Sequence, residues 1–269
     1  PVAIRFNPNV DAGVHEFTKT GRKSDKFGVS IKTAKSLIKK CNDSSSLTLV
    51  GLTCHIGSQI TELNSFEDAA KQALDLLVEL DKLNIKIDFI DMGGGLGVNY
   101  VGEETPQPFE LIQSYENIFE GRNETLILEP GRSISANAGI MLAKVEYKKD
   151  NFIITNAAMN DLLRPALYDA HHDVWPVVKN NNPASNVNVV GPICETGDFL
   201  AKDINIAASE NDLLAVKTVG AYGSVMSSNY NSRPRAAEVL VDKKNFYLIR
   251  KREDNSSLTS LEEGLDDQI

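Results

Sequence analysis

In the first half of the chain, short apolar runs alternate with longer segments that have a helical period. The apolar runs cover residues 2–6, 47–55, 85–92 and 125–129, and each has the length of a buried strand. The segments between them carry apolar side chains three and four positions apart, as on the buried face of a helix. This alternation is typical of βα units and predicts a parallel sheet.

Three helices are predicted between these strands. Ser30 is a favourable N-cap for a helix that runs to about Lys40. A second helix begins near Ser65, with Asp68 close to the capping-box position, and it carries a long apolar stripe. The third helix covers residues 109–119.

Beyond about Ala138 the pattern changes to strand-like runs joined by turns. These runs cover residues 140–147, 151–156, 187–191, 213–219, 237–241 and 245–249. Such a series predicts an antiparallel β domain, with a hairpin turn at residues 242–245. We therefore expect two parts, residues 1–138 and residues 139–269.

The composition argues against several classes of function. The chain has 269 residues, is 42% hydrophobic and carries a formal net charge of −9. A nucleic-acid or anionic membrane surface would usually show a basic patch, so we expect a small-molecule ligand. No apolar run reaches the roughly 18 residues of a membrane span. Three cysteines without a CxxC pair indicate a reducing, cytoplasmic compartment and no metal site.

Candidate chemistry collects where the predicted strands end. The third strand ends in Gly93-Gly94-Gly95, where missing Cβ atoms let backbone N–H groups approach a phosphate, although such a run is also a common tight turn. The other strands end in Asn7-Pro8, His55-Ile56-Gly57-Ser58-Gln59 and Glu129-Pro130-Gly131-Arg132. Because parallel strands end on one rim, these residues predict an active site built from βα loops.

Two residues on this rim invite a functional interpretation. His55 follows an apolar strand, where an imidazole is either structural or available to stack on a flat ring. Glu129 is harder to explain as structure, because a carboxylate at a strand end is costly unless it is paired. Its partner is either Arg132 or a protonated heterocyclic nitrogen.

The second half contributes further candidates. Cys194 and Glu195 lie in a loop bounded by Gly191 and Gly197, and Cys194 by itself favours a buried structural thiol. Arg164 and Tyr168 share one face if their segment is helical. Two isolated features complete the survey: Tyr222 lies between glycines, where aromatic side chains often contact ligands, and His171, His172 and Trp175 are expected to be structural.

Taken together, these motifs resemble the diaminopimelate decarboxylases, which are fold-type III pyridoxal-phosphate enzymes related to alanine racemase and ornithine decarboxylase. The resemblance runs from Arg5 to about Arg252. In chain order its motifs are Arg5-Phe6-Asn7-Pro8, Lys26-Phe27-Gly28, His55-Ile56-Gly57-Ser58-Gln59, Gly93-Gly94-Gly95, Glu129-Pro130-Gly131-Arg132-Ser133, Cys194-Glu195-Thr196-Gly197-Asp198 and Arg233-Pro234-Arg235.

The resemblance implies a fold and a cofactor. Residues 1–138 would be the second half of a (β/α)₈ TIM-type barrel that binds pyridoxal 5'-phosphate. Residues 139–269 would be an antiparallel β-sandwich or Greek-key domain that completes the active site and the dimer interface. The family's cofactor contacts would map to His55 on the pyridine face, Ser58, Gly94, Gly95, Gly131 and Arg132 at the phosphate, Tyr222 closing the cradle, and Glu129 on the pyridine nitrogen.

The resemblance also implies a reaction. Meso-2,6-diaminopimelate would lose CO2 to give L-lysine, the last step of lysine biosynthesis. Arg132, Arg164 and Tyr168 would bind the carboxylates of the substrate, with Glu195 on its distal amino group. Tyr222 would also contact the substrate. Cys194 would take part in reprotonation from the neighbouring subunit, so a homodimer with shared active sites is expected.

One expected segment is not found in this sequence. The family's Schiff-base lysine lies early in its chain, in a Tyr-Ala-x-Lys-Ala-Asn context. Four strands make only half of a barrel, whose open edges would be exposed. We therefore expect this sequence to be the second part of a longer protein.

Two other functions stay open. One is a related fold-type III decarboxylase that acts on ornithine, arginine or carboxynorspermidine. Arg132 and Arg164, together with Glu195, favour instead a substrate with two carboxylates and two amines. The other is a non-catalytic fragment or homologue that acts by pairing with an active subunit.

Overall fold

The structure, a computed structural model, describes residues 1–15, 18–179 and 183–264. Backbone contacts divide the chain into two units, Pro1–Asn137 and Ala138–Ile269. The roles expected for residues 1–138 and 139–269 stay predictions.

A five-stranded sheet organises the first unit. Its strand order is β2-β1-β3-β4-β5, and every neighbouring pair is parallel. The strands are β1 (Val2–Asn7), β2 (Val29–Ser30), β3 (Leu49–Thr53), β4 (Phe89–Asp91) and β5 (Thr125–Ile127). The parallel sheet predicted from the alternating pattern is therefore confirmed.

Four helices accompany this sheet, namely α1 (Ile31–Asn42), α2 (Leu63–Lys82), α3 (Pro108–Ile118) and the short α4 (Arg132–Ser135). The Ser30 cap is confirmed, because its hydroxyl accepts a hydrogen bond from the Thr33 N–H at 3.1 Å. The capping box expected near Asp68 is wrong, because α2 begins at Leu63 and not at Ser65.

The apolar stripe of α2 supplies much of the core of the first unit. Its buried side chains are Phe66, Ala69, Ala70, Ala73, Leu76, Leu77 and Leu80. They belong to one hydrophobic cluster with strand residues such as Phe6, Leu52 and Ile90. This packed layer holds the strands rigidly, so the loops at their carboxyl ends start from defined positions.

A six-stranded sheet organises the second unit, in the order β10-β9-β7-β6-β11-β8. Its strands are β6 (Met141–Lys149), β7 (Phe152–Thr155), β8 (Val174–Pro176), β9 (Ser185–Val190), β10 (Phe199–Ile206) and β11 (Leu213–Val216). The predicted antiparallel pairing is found in the other pairs of this sheet and is wrong at one place, because β7 pairs with β9 in parallel.

Two of these strands were not predicted, and each has a physical reason. β8 has three residues, one of them a proline, which is too short to show an alternating pattern. β10 is interrupted by register shifts, and Asp203 within it has a φ of +50°. The irregularity breaks the alternation of buried and exposed positions on which strand prediction depends.

The last two strands, β12 (Glu238–Asp242) and β13 (Asn245–Arg250), form a separate two-stranded sheet. Asp242 pairs with Asn245, so the predicted hairpin turn is confirmed. Two short helices, α5 (Arg164–Tyr168) and α6 (Asn255–Thr259), complete the second unit. Among the described residues, no helix is both long and apolar enough to cross a membrane.

Replacing Leu77 with alanine should lower the free energy of unfolding by about 2–5 kcal/mol, because Leu77 is fully buried in the α2 core. Val78 on the same helix is 40% exposed, so Val78→Ala should change it by less than about 0.5 kcal/mol. Urea unfolding of the two purified variants checks this. Equal effects would show that α2 does not bury this face.

Candidate active site

The register of the parallel sheet aligns the strand ends. Thr53 pairs with Asp91, and Asp91 pairs with Ile127. His55, Gly93 and Glu129 each lie two residues beyond one of these paired positions. The sheet register therefore places His55, Gly93 and Glu129 on one rim, as expected from the sequence.

His55 is held against the glycine run. Its Nδ1 accepts a hydrogen bond from the Gly94 N–H at 3.2 Å, and its carbonyl oxygen accepts one from the Thr20 hydroxyl at 2.8 Å. An Nδ1 that accepts a hydrogen bond carries no proton, so this contact requires the neutral form of the ring. Protonation of Nδ1 would break the contact. The ring orientation is thus coupled to the path of the glycine loop.

The protonation state of His55 follows from its surroundings. Partial burial lowers the pKa of this imidazole, the positive charge of Arg5 lowers it further, and the Asp91 carboxylate opposes them more weakly. All three effects act on the charged form of the ring. His55 is therefore a neutral, flat imidazole at neutral pH, which suits a ring that stacks on an aromatic ligand.

The glycine run is required by close backbone approach. Gly93 has a φ of +69° and Gly95 a φ of +110°, conformations that favour glycine. A Cβ at Gly94 would collide with the carbonyl oxygen of Glu129, and one at Gly95 would collide with that of Gly57. The glycine run is therefore more than a tight turn, because the backbone of two neighbouring loops occupies the space that side chains at Gly94 and Gly95 would need.

Glu129 reaches the rim through its backbone. Its N–H donates to the Gly93 carbonyl oxygen at 2.8 Å, while its side chain is exposed. In the part of the chain that the structure describes, no hydrogen bond or ion pair reaches the Glu129 carboxylate. Of the two partners considered from the sequence, Arg132 is therefore not observed, and a bound heterocyclic nitrogen stays open.

Arg132 is buried and fixed by two hydroxyl groups. Its Nη1 donates to the Tyr100 hydroxyl at 2.6 Å, and its Nη2 donates to the Ser58 hydroxyl at 3.2 Å. Each acceptor belongs to a different loop. Tyr100 could not be predicted from the sequence, because an aromatic residue in a polar loop gives no signal that it will reach a guanidinium.

In the second unit, Arg164 is also buried and is held by a histidine. Its Nη1 lies 2.7 Å from His172 Nε2, and His172 Nδ1 lies 2.8 Å from the Lys217 carbonyl oxygen. Because a carbonyl can only accept, Nδ1 carries the proton and Nε2 accepts from Arg164. His172, expected to be merely structural, is therefore a direct support of a candidate substrate-binding residue.

The helix that carries Arg164 also carries Tyr168. Both residues lie in α5, as the one-face expectation requires, and Tyr168 is half-buried. Tyr222 is 40% exposed and has a φ of +61°, which is rare for an aromatic residue. Its strained backbone lies directly before Gly223, where a Cβ would collide with the Val219 carbonyl oxygen.

The loop of residues 191–198 is organised by a buried carboxylate. Asp198 Oδ1 accepts from the Met159 N–H at 2.7 Å, and Oδ2 accepts from the Ile193 N–H at 2.9 Å. Burial raises the pKa of Asp198, and these two hydrogen bonds act in the opposite direction. Asp198 thus fixes both ends of the segment that presents Cys194 and Glu195.

Cys194 and Glu195 are both exposed at the tip of this loop. The expectation that Cys194 is a buried structural thiol, which the residue type alone favoured, is therefore wrong. The Glu195 carboxylate accepts from the Tyr230 hydroxyl at 2.7 Å, and the Cys194 sulfur accepts from the Asn231 amide at 3.4 Å. Neither Tyr230 nor Asn231 was predicted, because nothing local in the sequence relates them to this loop.

Within the described residues, no group of three or more histidine, cysteine or carboxylate side chains could hold a metal ion. The first unit instead combines a neutral ring, an exposed carboxylate and side-chain-free backbone. The second unit offers a guanidinium, phenols, a thiol and a carboxylate. These groups suit acid–base chemistry on a small polar molecule that carries charges of both signs.

Comparison with known proteins identifies the class. A family model described as "Pyridoxal-dependent decarboxylase, pyridoxal binding domain" matches residues 1–136. This is half of the chain, and the chain belongs to the pyridoxal-dependent decarboxylase family.

Several individual relatives within this family carry the same name. Diaminopimelate decarboxylase from Pseudomonas aeruginosa is 49% identical over 257 residues, which cover 94% of this chain. The crystal structure of diaminopimelate decarboxylase from Helicobacter pylori complexed with L-lysine is similar with a TM-score of 0.94 at 40% identity, over 99% of this chain and 67% of that chain. The resemblance found in the sequence is confirmed.

The match does not extend over the full length of the relatives. This chain spans 62% of the Pseudomonas aeruginosa protein and 65% of the diaminopimelate decarboxylase from Vibrio cholerae, to which it is 46% identical. The activity, substrate and assembly of the whole protein are therefore matters for proposal.

The neutral state of His55 predicts a pH dependence of stability. The unfolded ring titrates near pH 6.5, and the folded ring has a lowered pKa. Between these two pKa values the unfolded state binds the extra proton, so the free energy of unfolding falls as pH drops below about 6.5. His55→Asn keeps an acceptor near the position of Nδ1 but cannot titrate. The slope of the free energy of unfolding against pH should therefore decrease, by an amount that corresponds to at most about one bound proton. Urea unfolding from pH 5 to 8 measures it, and identical slopes would contradict the assignment.

Removing the His172 ring that contacts Arg164 should destabilise the protein. His172→Leu leaves a buried guanidinium and the Lys217 carbonyl without this ring, at a cost of about 2–3 kcal/mol in the free energy of unfolding. The adjacent His171 is exposed and pairs with Asp173 at 3.1 Å, so His171→Leu is the matched control and should cost less than about 1 kcal/mol. A melting curve of each variant decides; similar losses would refute a special role for His172.

Proposed function

We propose that the protein containing this chain decarboxylates meso-2,6-diaminopimelate to L-lysine and CO2, with pyridoxal 5'-phosphate as cofactor. The relatives described above carry the name diaminopimelate decarboxylase, and the Helicobacter pylori structure is complexed with L-lysine. The family itself is defined by a pyridoxal binding domain.

The observation that carries the proposal is the arrangement at the ends of β3, β4 and β5. The His55 ring is hydrogen-bonded to Gly94, and Glu129 is hydrogen-bonded to Gly93. A neutral ring and an anionic carboxylate therefore flank backbone that carries no side chains. This set of groups fits a flat pyridine ring with a protonated nitrogen and an attached phosphate.

The bare backbone also leaves room for a phosphate. Nothing lies within 4 Å of where a Cβ of Gly131 would be, so that position is open. The Ser58 oxygen accepts from Arg132, which leaves its own hydrogen available for donation to an anion. Gly94 contributes through its missing side chain, because its N–H already donates to His55, and Gly95 continues the bare surface.

Each group then has a proposed task. His55 stacks on the pyridine ring, Glu129 keeps the ring nitrogen protonated, and Tyr222 closes over the phosphate. When bound, pyridoxal 5'-phosphate supplies an electron sink for the electron pair left behind by CO2. Glu129 strengthens this sink, because a carboxylate beside the ring nitrogen favours its protonated form.

The substrate carries two carboxylates and two amino groups. Arg132 and Arg164 provide two guanidinium groups, and Tyr168 adds a phenol on the same helix as Arg164. Guanidinium groups bind carboxylates through paired hydrogen bonds, which favours this substrate over amino acids with one carboxylate. Glu195 is suited to the distal ammonium group, and the Cys194 thiol supplies the proton that replaces CO2.

We infer a finer architecture on the same basis. The parallel sheet and helices of residues 1–138 constitute the second half of a (β/α)₈ barrel, and residues 139–269 form a β-sandwich-like domain. The working form is a cytoplasmic homodimer with shared active sites. The similarity to the Helicobacter pylori chain, of which this chain covers 67%, supports this inference.

The test is a substrate panel with the complete gene product loaded with pyridoxal 5'-phosphate. CO2 release should be at least about a hundredfold more efficient, in kcat/KM, with meso-diaminopimelate than with ornithine or arginine, because those substrates leave a guanidinium without its carboxylate. Glu129→Gln should lower kcat by about 10²–10⁴-fold. A preference for ornithine would overturn the substrate, and a cofactor-loaded protein that releases no CO2 would overturn the reaction.

A further inference from the structure

Two adjacent residues each contact one of the two exposed candidates in the loop of residues 191–198. The Tyr230 hydroxyl donates to Glu195 Oε2 at 2.7 Å. The Asn231 side-chain amide donates to the Cys194 sulfur at 3.4 Å, within the range of a hydrogen bond to sulfur. A single short turn, Tyr230–Ser232, therefore holds a neighbouring thiol and carboxylate.

The backbone of this turn is strained. Asn231 has a φ of +54° and Ser232 a φ of +53°, which is uncommon for residues other than glycine. Such conformations persist only when the surrounding structure holds them. In this conformation the Asn231 side-chain amide lies against the Cys194 sulfur.

Hydrogen bonds on both flanks hold the turn in place. On one side, the Asn229 amide donates to the Arg233 carbonyl oxygen at 3.0 Å and to Glu253 Oε2 at 2.6 Å. On the other side, Arg233 Nε donates to the Asn160 side chain at 2.9 Å, and its Nη2 donates to the Asn156 carbonyl oxygen at 2.6 Å. The turn is thus fixed to residues that follow β7.

The loop that it contacts is anchored independently. Asp198 fixes that loop through the N–H groups of Met159 and Ile193. Because both sides have their own supports, the Tyr230 and Asn231 contacts are not needed to fold either one. Tyr230 is also 46% exposed, so its hydroxyl can be removed without opening the core.

The chemistry of the two contacts differs. An N–H donor beside sulfur stabilises the negative charge that develops on the sulfur when it reacts. A phenol that donates to a carboxylate keeps that carboxylate oriented. The hydrogen bond and negative charge of Glu195 raise the pKa of Tyr230, so the phenol stays protonated and remains the donor.

We propose that Tyr230 and Asn231 are positioning residues for the decarboxylase site: Asn231 sets the reactivity of the Cys194 thiol, and Tyr230 orients Glu195 toward an ammonium group of the substrate. This inference rests on the proposed function for the roles of Cys194 and Glu195. The contacts themselves can be tested without any turnover.

The first test measures alkylation of Cys194 by iodoacetamide in the complete protein, by mass spectrometry of the peptide that contains it, from pH 6 to 9. Asn231→Gly keeps the turn conformation and removes the amide. It should slow alkylation near pH 7.5 by about tenfold, the factor expected for one lost hydrogen bond to a charged acceptor. Asn231→Asp places a carboxylate beside the sulfur and should be slower still.

Asn211 provides the matched control. It is another exposed asparagine with a positive φ, +70°, in a turn that holds no candidate residue. Asn211→Gly should therefore leave the alkylation rate unchanged. If Asn231→Gly reacts at the wild-type rate across the pH range, Asn231 does not act on the thiol.

The second test separates binding from turnover. Tyr230→Phe removes one oxygen and should raise the KM for meso-diaminopimelate by about tenfold, with kcat changed less than about threefold. The exposed Tyr147 in β6 is the control, and Tyr147→Phe should change neither constant. An unchanged KM, or a loss confined to kcat, would overturn the role of Tyr230.

The two failures can be told apart. If the protein does not act on diaminopimelate, the proposed function fails, while the alkylation series still decides the role of Asn231. If it acts on diaminopimelate and the alkylation rates do not follow the order Asn, Gly, Asp at position 231, the function stands and the positioning role of Asn231 is rejected.

Discussion

The first unit depends on the absence of a side chain at Gly94. The carbonyl oxygen of Glu129 occupies the space that a Cβ at this position would need. This close approach is what lets the loop after β4 contact both of its neighbours. The Gly94 N–H reaches His55 on one side, and the Gly93 carbonyl oxygen accepts from Glu129 on the other. A larger residue would separate three loops at once, so the constraint acts on the whole rim and not on one turn.

The two buried arginines show a second regularity. The partners described for Arg132 are two hydroxyl groups, and the one described for Arg164 is a neutral imidazole. Such acceptors fix the direction of a guanidinium without bringing a negative charge of their own. The described partners thus fix the direction of each guanidinium by hydrogen bonds.

Much of this arrangement could be predicted from the sequence. Apolar runs and helical periods predict the parallel sheet, and the sheet register then predicts which loops meet. His55, Glu129 and the glycine run lie directly after strands, so their meeting follows from local patterns. Tyr100, His172 and Tyr230 could not be found in this way. Each acts on a residue far along the chain or across a turn, and its side chain is chosen by tertiary packing that no local pattern encodes.

Irregular backbone marks the other limit of prediction. β10 could not be predicted because Asp203 interrupts its alternation of buried and exposed positions. The contact of Asn231 depends on a positive φ, which asparagine tolerates but which its presence in a sequence does not predict. β7 and β9 pair in parallel, and the pattern within a strand does not show which strand it pairs with or in which direction. Sequence patterns describe average geometry, so the places where the backbone departs from it are the places where they fail.

The polar residues singled out in the two units differ in burial. The buried polar side chains of the described residues include Arg132, Asn160, Arg164, His172 and Asp198. Each is hydrogen-bonded, because burial of a polar group without partners would cost stability. By contrast, Glu129, Cys194, Glu195 and Tyr222 are exposed. These four side chains are accessible from solvent, and the buried Asp198 carboxylate anchors the loop that carries two of them, Cys194 and Glu195.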